Sequence, residues 1–234
     1  VGQDQQKDVI DAVAKLNQLQ NAAVDDPEVA TRIGQYELAF KMQTSVPALM
    51  DLKDEPAKVL ESYGTKGADG SFAANCLLAR RMAQKGVRFI QMYHRDWDHH
   101  GGIKDGIKLK VEEIDQPLAA LVKDLKRLGM FEDTLIVLTG EFGRTPMSQG
   151  GSGRDHHNAG FSIWLAGGGI KGGQYYGATD RDGFEVADNP VSEADYLATI
   201  YQAMGIDYRA KHYLGTRPIW ATEEGAKPIA ELLG

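Results

Sequence analysis

Three short apolar runs, spaced by longer segments, constrain the fold of this chain more than any other feature. They are residues 87–93 (VRFIQMY), 134–139 (TLIVLT) and 161–166 (FSIWLA), and they show little alternation of apolar and polar side chains. Such runs are typical of strands that are buried on both faces of a sheet. We therefore predict that these three segments are core strands.

The segments between these runs have the apolar periodicity of helices. A helix is predicted over residues 111–128, and Gly129 provides its stop signal. Another is predicted to begin after Ser192, which with Asp195 resembles a capping box, and to end at Gly205. Strands joined by helical crossovers predict an α/β fold, in which a layered and at least partly parallel sheet has flanking helices.

The first 70 residues have a different pattern. Residues 9–19 and 27–40 are predicted to form two helices, and Asp26 caps the second of them. We assign residues 1–70 to a helical N-terminal segment that packs on the rest of the domain. Residues 71–234 form the predicted α/β core, with one domain overall.

Composition and charge argue against several classes of protein. Lys and Arg total 26 against 33 Asp and Glu, so the net charge of −7 argues against a nucleic-acid partner. Cys76 is the only cysteine, so neither a disulfide nor a cysteine-based zinc site holds this fold together. No apolar run approaches the ~20 residues of a membrane span. The chain starts without an initiator Met or a signal peptide, so we expect a processed or truncated product.

Two of the three apolar runs lead directly into clusters of side chains that are able to bind metals. Residues 94–100 read HRDWDHH, residues 140–146 read GEFGRTP and residues 153–157 read GRDHH. Ligands of open α/β sheets gather beyond the carboxyl ends of the strands. Mixed imidazole and carboxylate donors suit zinc, manganese or iron, whereas carboxylates alone suit magnesium or calcium. The alternative is that these clusters are exposed polar surface or capping residues.

Within these clusters, the spacing of the candidate donors differs. Asp98 and His100 are two residues apart, so in extended backbone their side chains point the same way. Asp155 and His156 are adjacent and need a turn to converge, and His157 follows them. Glu141 follows the second apolar run, where it is able to bind a metal, act as a base or pair with a neighbouring arginine.

Two arginines in the same loops are candidate binding groups for a small anionic substrate. Arg144 and Arg154 each offer a planar guanidinium fork that matches a phosphate or a sulfate. The alternative is that both arginines are structural, as arginines in loops commonly are.

Other catalytic motifs are not supported by the sequence. Residues 167–172 (GGGIKG) match a dinucleotide-binding pattern, but the residues that follow do not have a helical pattern, so we predict a tight turn instead. No G-x-S-x-G motif is present, and Cys76 lies among apolar neighbours in a predicted helix. Nucleophilic catalysis by a Ser–His–Asp or Cys–His arrangement therefore has no support.

Several motifs occur together in an order that resembles one bacterial family. They are residues 97–100 (WDHH), 140–146 (GEFGRTP), 153–157 (GRDHH), 165–173 (LAGGGIKGG) and 176–180 (YGATD). From about residue 9 to its C-terminus, the chain resembles an uncharacterised sulfatase-like family, domain of unknown function 1501, of the alkaline phosphatase superfamily. This resemblance implies an α/β fold with a metal site above a sheet.

The resemblance also implies a set of metal ligands. In the superfamily, an Asp and a His after one strand, an acidic residue after a second strand and a later His bind the metal. Asp98 and His100 match the first pair, and Glu141 matches the acidic position. His156 or His157 matches the last position.

Two departures from the superfamily pattern change what is expected of this chain. Alkaline phosphatases have a His directly after the acidic ligand, where this chain has Phe142, so one metal subsite is expected to be altered or absent. The strand that carries the Ser or Thr nucleophile normally precedes everything matched here. The chain thus resembles the C-terminal half of such a protein. Either the nucleophile lies in a missing N-terminal half, or another subunit supplies it, or the chain is inactive.

Two hypotheses for the function follow. The first is a metal-dependent hydrolase that acts on a phosphate or sulfate ester with zinc, manganese, magnesium or calcium, while Arg144 or Arg154 clamps the anion. The second is a non-catalytic binding protein that retains the fold. Many members of the family look like twin-arginine-exported precursors, which implies an exported or periplasmic location.

Overall fold

The structure is a computed structural model that describes residues 11, 12, 15, 34, 35 and 46–234. The chain divides into two compact units, Val1–Glu55 and Pro56–Gly234. In the first unit, residues 46–50 are helical. The predicted helices over residues 9–19 and 27–40 lie mostly outside the described residues.

Three helices open the second unit. They are α1 (Ala57–Tyr63), α2 (Phe72–Gln84) and α3 (Ile103–Arg127). The side chain of Ser71 caps α2 by accepting a hydrogen bond from the backbone N–H of Ala74 (3.1 Å). The predicted helix over residues 111–128 is confirmed as α3, which begins earlier, at Ile103, and continues through the buried Pro117.

The three helices pack around apolar side chains and one buried charged cluster. The buried apolar side chains include Ala74, Cys76, Leu77, Ala120, Leu121 and Leu125. Within the cluster, Arg80 Nε lies 3.0 Å from Asp124 Oδ2, and the Tyr63 hydroxyl donates to the same oxygen (3.2 Å). Arg127 Nε donates to the second oxygen of Asp124 (2.9 Å). This network compensates the buried carboxylate, which would be costly without partners.

The described strands pair in four antiparallel two-stranded sheets. The pairs are β1 (Leu135–Leu138) with β4 (Trp164–Gly167), β2 (Gly143–Arg144) with β3 (His156–His157), β5 (Ala178–Thr179) with β6 (Val186–Asp188), and β7 (Lys211–Leu214) with β8 (Arg217–Trp220). The predicted strands over residues 134–139 and 161–166 are present as β1 and β4, but the prediction that they are buried on both faces is wrong, since Val137, Leu138 and Trp164 are exposed.

The mixture of helices and strands agrees with the predicted α/β class, but every pairing in the described residues is antiparallel. Leu135 lies opposite Gly167 and Leu138 opposite Trp164. A parallel pair needs a crossover of a dozen or more residues, usually a helix. Between β1 and β4 the chain instead forms the β2–β3 hairpin, so these two strands run in opposite directions.

The prediction of a buried strand over residues 87–93 is wrong. No strand is assigned to this segment in the described structure, and Phe89 and Tyr93 are 73% and 78% exposed. Side-chain exposure alternates from Phe89 to His94, as it would along one exposed strand. A strand is buried on both faces only when other elements pack on both sides of it, and the described residues do not form such layers around residues 87–93.

Two other local predictions are confirmed. Ser192 caps α4 (Glu193–Ala203) by accepting from the backbone N–H of Asp195 (3.1 Å). The glycine-rich segment forms a turn at residues 168–169 rather than the start of a helix. Within the described residues, no helix is both long and apolar enough to cross a membrane.

Candidate metal centre

Two loop segments build the candidate site. The first, residues 94–102, leads into α3, and the second, residues 143–157, contains the β2–β3 hairpin. At the tip of the hairpin, Gln149 and Gly153 exchange backbone hydrogen bonds of 2.9 Å in both directions. The hairpin therefore has a fixed tip as well as a paired base.

His94 anchors the first loop to the helices. Its Nδ1 accepts a hydrogen bond from Trp97 Nε1 (2.9 Å), and its Nε2 lies 2.9 Å from Glu113 Oε2 on α3. Its ring also meets the ring of Phe72 on α2 edge-on, with centroids 5.0 Å apart. Both nitrogens of His94 are occupied by these contacts, so His94 positions the loop and is not a free metal donor.

Backbone contacts dock the two loops against each other. The N–H of Arg154 donates to the carbonyl of His99 (3.1 Å), and the N–H of Ile103 donates to the carbonyl of Ser152 (2.9 Å). A Cβ atom at Gly153 would overlap the backbone carbonyl of His100, so only glycine permits this approach. The docking brings side chains from both loops to one place.

Asp98, His100 and His156 converge at this contact. Asp98 Oδ1 lies 2.9 Å from His100 Nε2 and 2.9 Å from His156 Nε2, and the two Nε2 atoms are 3.2 Å apart. Among the described residues, these three form the group of potential ligand atoms that all lie within 4.8 Å of one another. All three residues are exposed, so the group is accessible from solvent.

The donor set fits a divalent transition metal. Donors that bind one tetrahedral zinc ion at about 2.0–2.1 Å lie roughly 3.3 Å from one another. The separations of 2.9–3.2 Å in this group need only a small outward adjustment to reach that value. Two imidazoles with one carboxylate suit zinc, manganese or iron better than magnesium or calcium.

Charge around Asp98 keeps this carboxylate ionised. Hydrogen bonds from His156 and from Arg144 lower the pKa of Asp98 to about 2. Arg144 Nη2 donates to Asp98 Oδ1 (2.7 Å) and to the carbonyl of Trp97 (3.2 Å), and Nη1 donates to the carbonyl of Arg154 (3.3 Å). Arg144 thus connects the two loops and holds the carboxylate in its metal-binding form.

Residues 1–233 match the family of proteins of unknown function DUF1501. The chain belongs to the DUF1501 family. A search of curated proteins and a search of solved structures found no match.

Three candidate ligands of this DUF1501 chain lie outside the converged group. Glu141 follows β1, is exposed, and makes no hydrogen bond or ion pair within the described residues. Asp155 Oδ1 is 3.8 Å from His100 Nδ1, on the opposite side of the ring from the nitrogen that faces Asp98. His157 lies opposite Gly143 in the hairpin, and its Nε2 is buried without a hydrogen-bond partner in the described structure.

Two residues that contact the group were not predicted as part of a DUF1501 metal site. Gln149 Oε1 lies 2.6 Å from His100 Nδ1. The ring of Phe142 stacks on that of His156, with centroids 4.0 Å apart. The departure of Phe142 from the superfamily pattern was a signal in the sequence, whereas nothing in the sequence pointed to Gln149.

Proposed function

We propose that this chain is a metal-dependent hydrolase of the alkaline phosphatase superfamily that acts on a phosphate or sulfate ester. The observation that carries the proposal is the convergence of Asp98, His100 and His156 from two separate loops. Asp98 and His100 are also the pair that the resemblance matches to superfamily ligands. We propose zinc, manganese or iron as the metal class and an exported location for the protein.

When bound, a divalent cation supplies charge neutralisation for the ester oxygens and lowers the pKa of a coordinated hydroxyl or water. Asp98, His100 and His156 would hold it through one carboxylate oxygen and two imidazole nitrogens. Arg144 orients Asp98 and is itself held by backbone carbonyls. It therefore acts through the carboxylate rather than through the substrate.

Arg154 is the better candidate for binding the anion. It makes one side-chain hydrogen bond in the described structure, from Nη1 to the carbonyl of Gly153 (2.8 Å). Its remaining N–H groups are available for a phosphate or sulfate, which a guanidinium binds in a bidentate manner. Arg154 also lies two residues from His156, so it belongs to the same loop as a metal donor.

The test is hydrolysis of aryl phosphate and aryl sulfate esters by the full-length protein with added zinc, manganese, iron, magnesium or calcium. We expect turnover that depends on a transition metal, and a loss of at least about tenfold in kcat/KM for Arg154→Gln, since each such charged hydrogen bond contributes roughly 1.5–3 kcal/mol. Arg209→Gln is the matched control, because Arg209 is exposed and pairs locally with Asp207. If no ester is hydrolysed with any of the metals, the hydrolase proposal fails and a non-catalytic binding role replaces it.

A further inference from the structure

The side-chain amide of Gln149 contacts the nitrogen of His100 that faces away from the candidate metal centre. Gln149 Oε1 lies 2.6 Å from His100 Nδ1. An amide oxygen only accepts hydrogen bonds, so Nδ1 carries the proton of the neutral ring. The other nitrogen, Nε2, then holds a lone pair.

The other nitrogen of His100 faces the converged group. Its Nε2 lies 2.9 Å from Asp98 Oδ1 and 3.2 Å from His156 Nε2. A ring whose Nδ1 is directed at Gln149 therefore directs Nε2 at the place where the three candidate donor atoms meet.

The position of Gln149 is built into the hairpin. Its backbone N–H and carbonyl both pair with Gly153, and Ser152 also donates to its carbonyl (3.3 Å). Gly153 in turn packs against the backbone of His100, where a larger residue would clash. The same turn therefore fixes both ends of the contact between Gln149 and His100.

We propose that Gln149 is a positioning residue of the metal centre, which holds His100 in the tautomer whose Nε2 binds the metal. This inference rests on the proposed metal centre. The carboxylate of Asp155, at 3.8 Å from Nδ1, is too far away to accept the same hydrogen bond. Partners of this kind orient the imidazole and raise its basicity, and their loss typically lowers metal affinity by about 10–100-fold.

The test measures zinc affinity of the full chain by competition with a chelating dye. We expect Gln149→Leu to bind zinc about 10–100-fold more weakly than the wild type. Gln149→Glu should restore the affinity, because a carboxylate also accepts from Nδ1. Ser152→Ala is the matched control in the same turn: it removes a hydroxyl that accepts from Gly102 N–H (3.2 Å) but does not touch His100, so it should keep wild-type affinity.

A second readout reports the tautomer directly. In ¹⁵N NMR spectra of the zinc-free chain, His100 of the wild type should be protonated at Nδ1, and Gln149→Leu should lose this preference. Equal zinc affinity of Gln149→Leu and wild type would overturn the inference, as would an equal loss in Ser152→Ala or a Gln149→Glu variant that restores nothing. If the wild type itself binds no zinc, the proposed metal centre fails. If the wild type binds zinc but its His100 is protonated at Nε2 in the zinc-free chain, only the proposed role of Gln149 fails.

Discussion

The ring of Phe142 lies 4.0 Å from the ring of His156, and the two planes are inclined by 24°. Phe142 occupies the position at which the superfamily resemblance places a further metal-binding histidine. In this chain the position supplies an apolar surface under His156, one of the candidate metal donors. The stacking holds the His156 ring with its Nε2 directed toward Asp98 (2.9 Å).

We expect Phe142→Leu to weaken zinc binding by about 2–10-fold, because an aromatic pair contributes roughly 0.5–1.5 kcal/mol beyond its buried area. The measurement is a zinc competition titration. Phe184→Leu, at a partly exposed phenylalanine in the turn between β5 and β6, is the control and should leave zinc affinity unchanged. A loss as large as that of His156→Ala would show that Phe142 does more than support the ring.

The ionisation of Asp98 should extend to unusually low pH. Its pKa is lowered to about 2 by hydrogen bonds from His156 and Arg144, against about 3.9 for a free Asp. The lowered value means that its ionised form stabilises the folded chain above about pH 4, and that this contribution is lost as the pH falls through about 2. Side-chain carboxyl ¹³C NMR on the metal-free protein should give a midpoint near 2.

Two variants test the cause of this shift. His156→Ala and Arg144→Gln should each raise the pKa of Asp98 toward its usual range, since each removes a hydrogen bond to the ionised form. Asp207, whose lowered pKa comes from Arg209, should titrate unchanged in both variants. A wild-type midpoint for Asp98 near 3.9 would contradict the described contacts.

Gly153 should be required for assembly of the centre. In Gly153→Ala the new methyl group would overlap the carbonyl of His100, so the two loops must move apart. We expect weaker zinc binding together with a lower Tm. Gly101→Ala is the matched control, because a Cβ at Gly101 meets nothing within 4 Å. Unchanged zinc affinity in Gly153→Ala would show that the close approach of the loops is not needed.

Some features of the candidate metal centre could be predicted from the sequence, and others could not. The spacing of Asp98 and His100 was enough to predict that they point the same way, because that depends on local backbone alone. The choice of His156 over His157 depends on the register of the β2–β3 hairpin, in which adjacent side chains point to opposite faces and His156 lies opposite Arg144. The contact of Gln149 with His100 depends on how two loops dock, which no local pattern encodes.

In the fold, too, features that depend on local sequence could be predicted, whereas features that depend on tertiary contacts could not. The cap at Ser192 was predictable because Ser192 and Asp195 are three residues apart on one turn. The direction of β4 relative to β1 was not, because it depends on whether a helix or a hairpin connects them. The prediction of a buried strand over residues 87–93 failed because it was based on apolar composition alone. Apolar composition shows that a segment can be buried, but not that other elements cover it.

The buried charged cluster around Asp124 should stabilise the folded chain. Asp124 accepts from Tyr63 and Arg127 and lies 3.0 Å from Arg80, and its side chain is 9% exposed. We expect Asp124→Ala to lower the free energy of unfolding by about 3–5 kcal/mol, because it removes one member of a buried, hydrogen-bonded ion pair. Urea unfolding monitored by circular dichroism measures this change.

The control for this cluster is Asp115→Ala on the same helix. Asp115 is exposed, so its replacement should change the free energy of unfolding by less than about 0.5 kcal/mol. If Asp124→Ala and Asp115→Ala cost the same, the buried network does not stabilise the helices in the way described.

Zinc retention tests the central claim most directly. Equilibrium dialysis followed by metal analysis compares the wild type with His100→Ala, His156→Ala and the control His212→Ala, whose histidine lies on the exposed strand β7. We predict one zinc ion per wild-type chain, the same for His212→Ala, and at least a roughly 100-fold weaker affinity for the other two variants, since each loses one of three protein donors. A wild-type chain that retains no zinc, or His100→Ala and His156→Ala variants that retain as much as the wild type, would contradict the proposed metal centre.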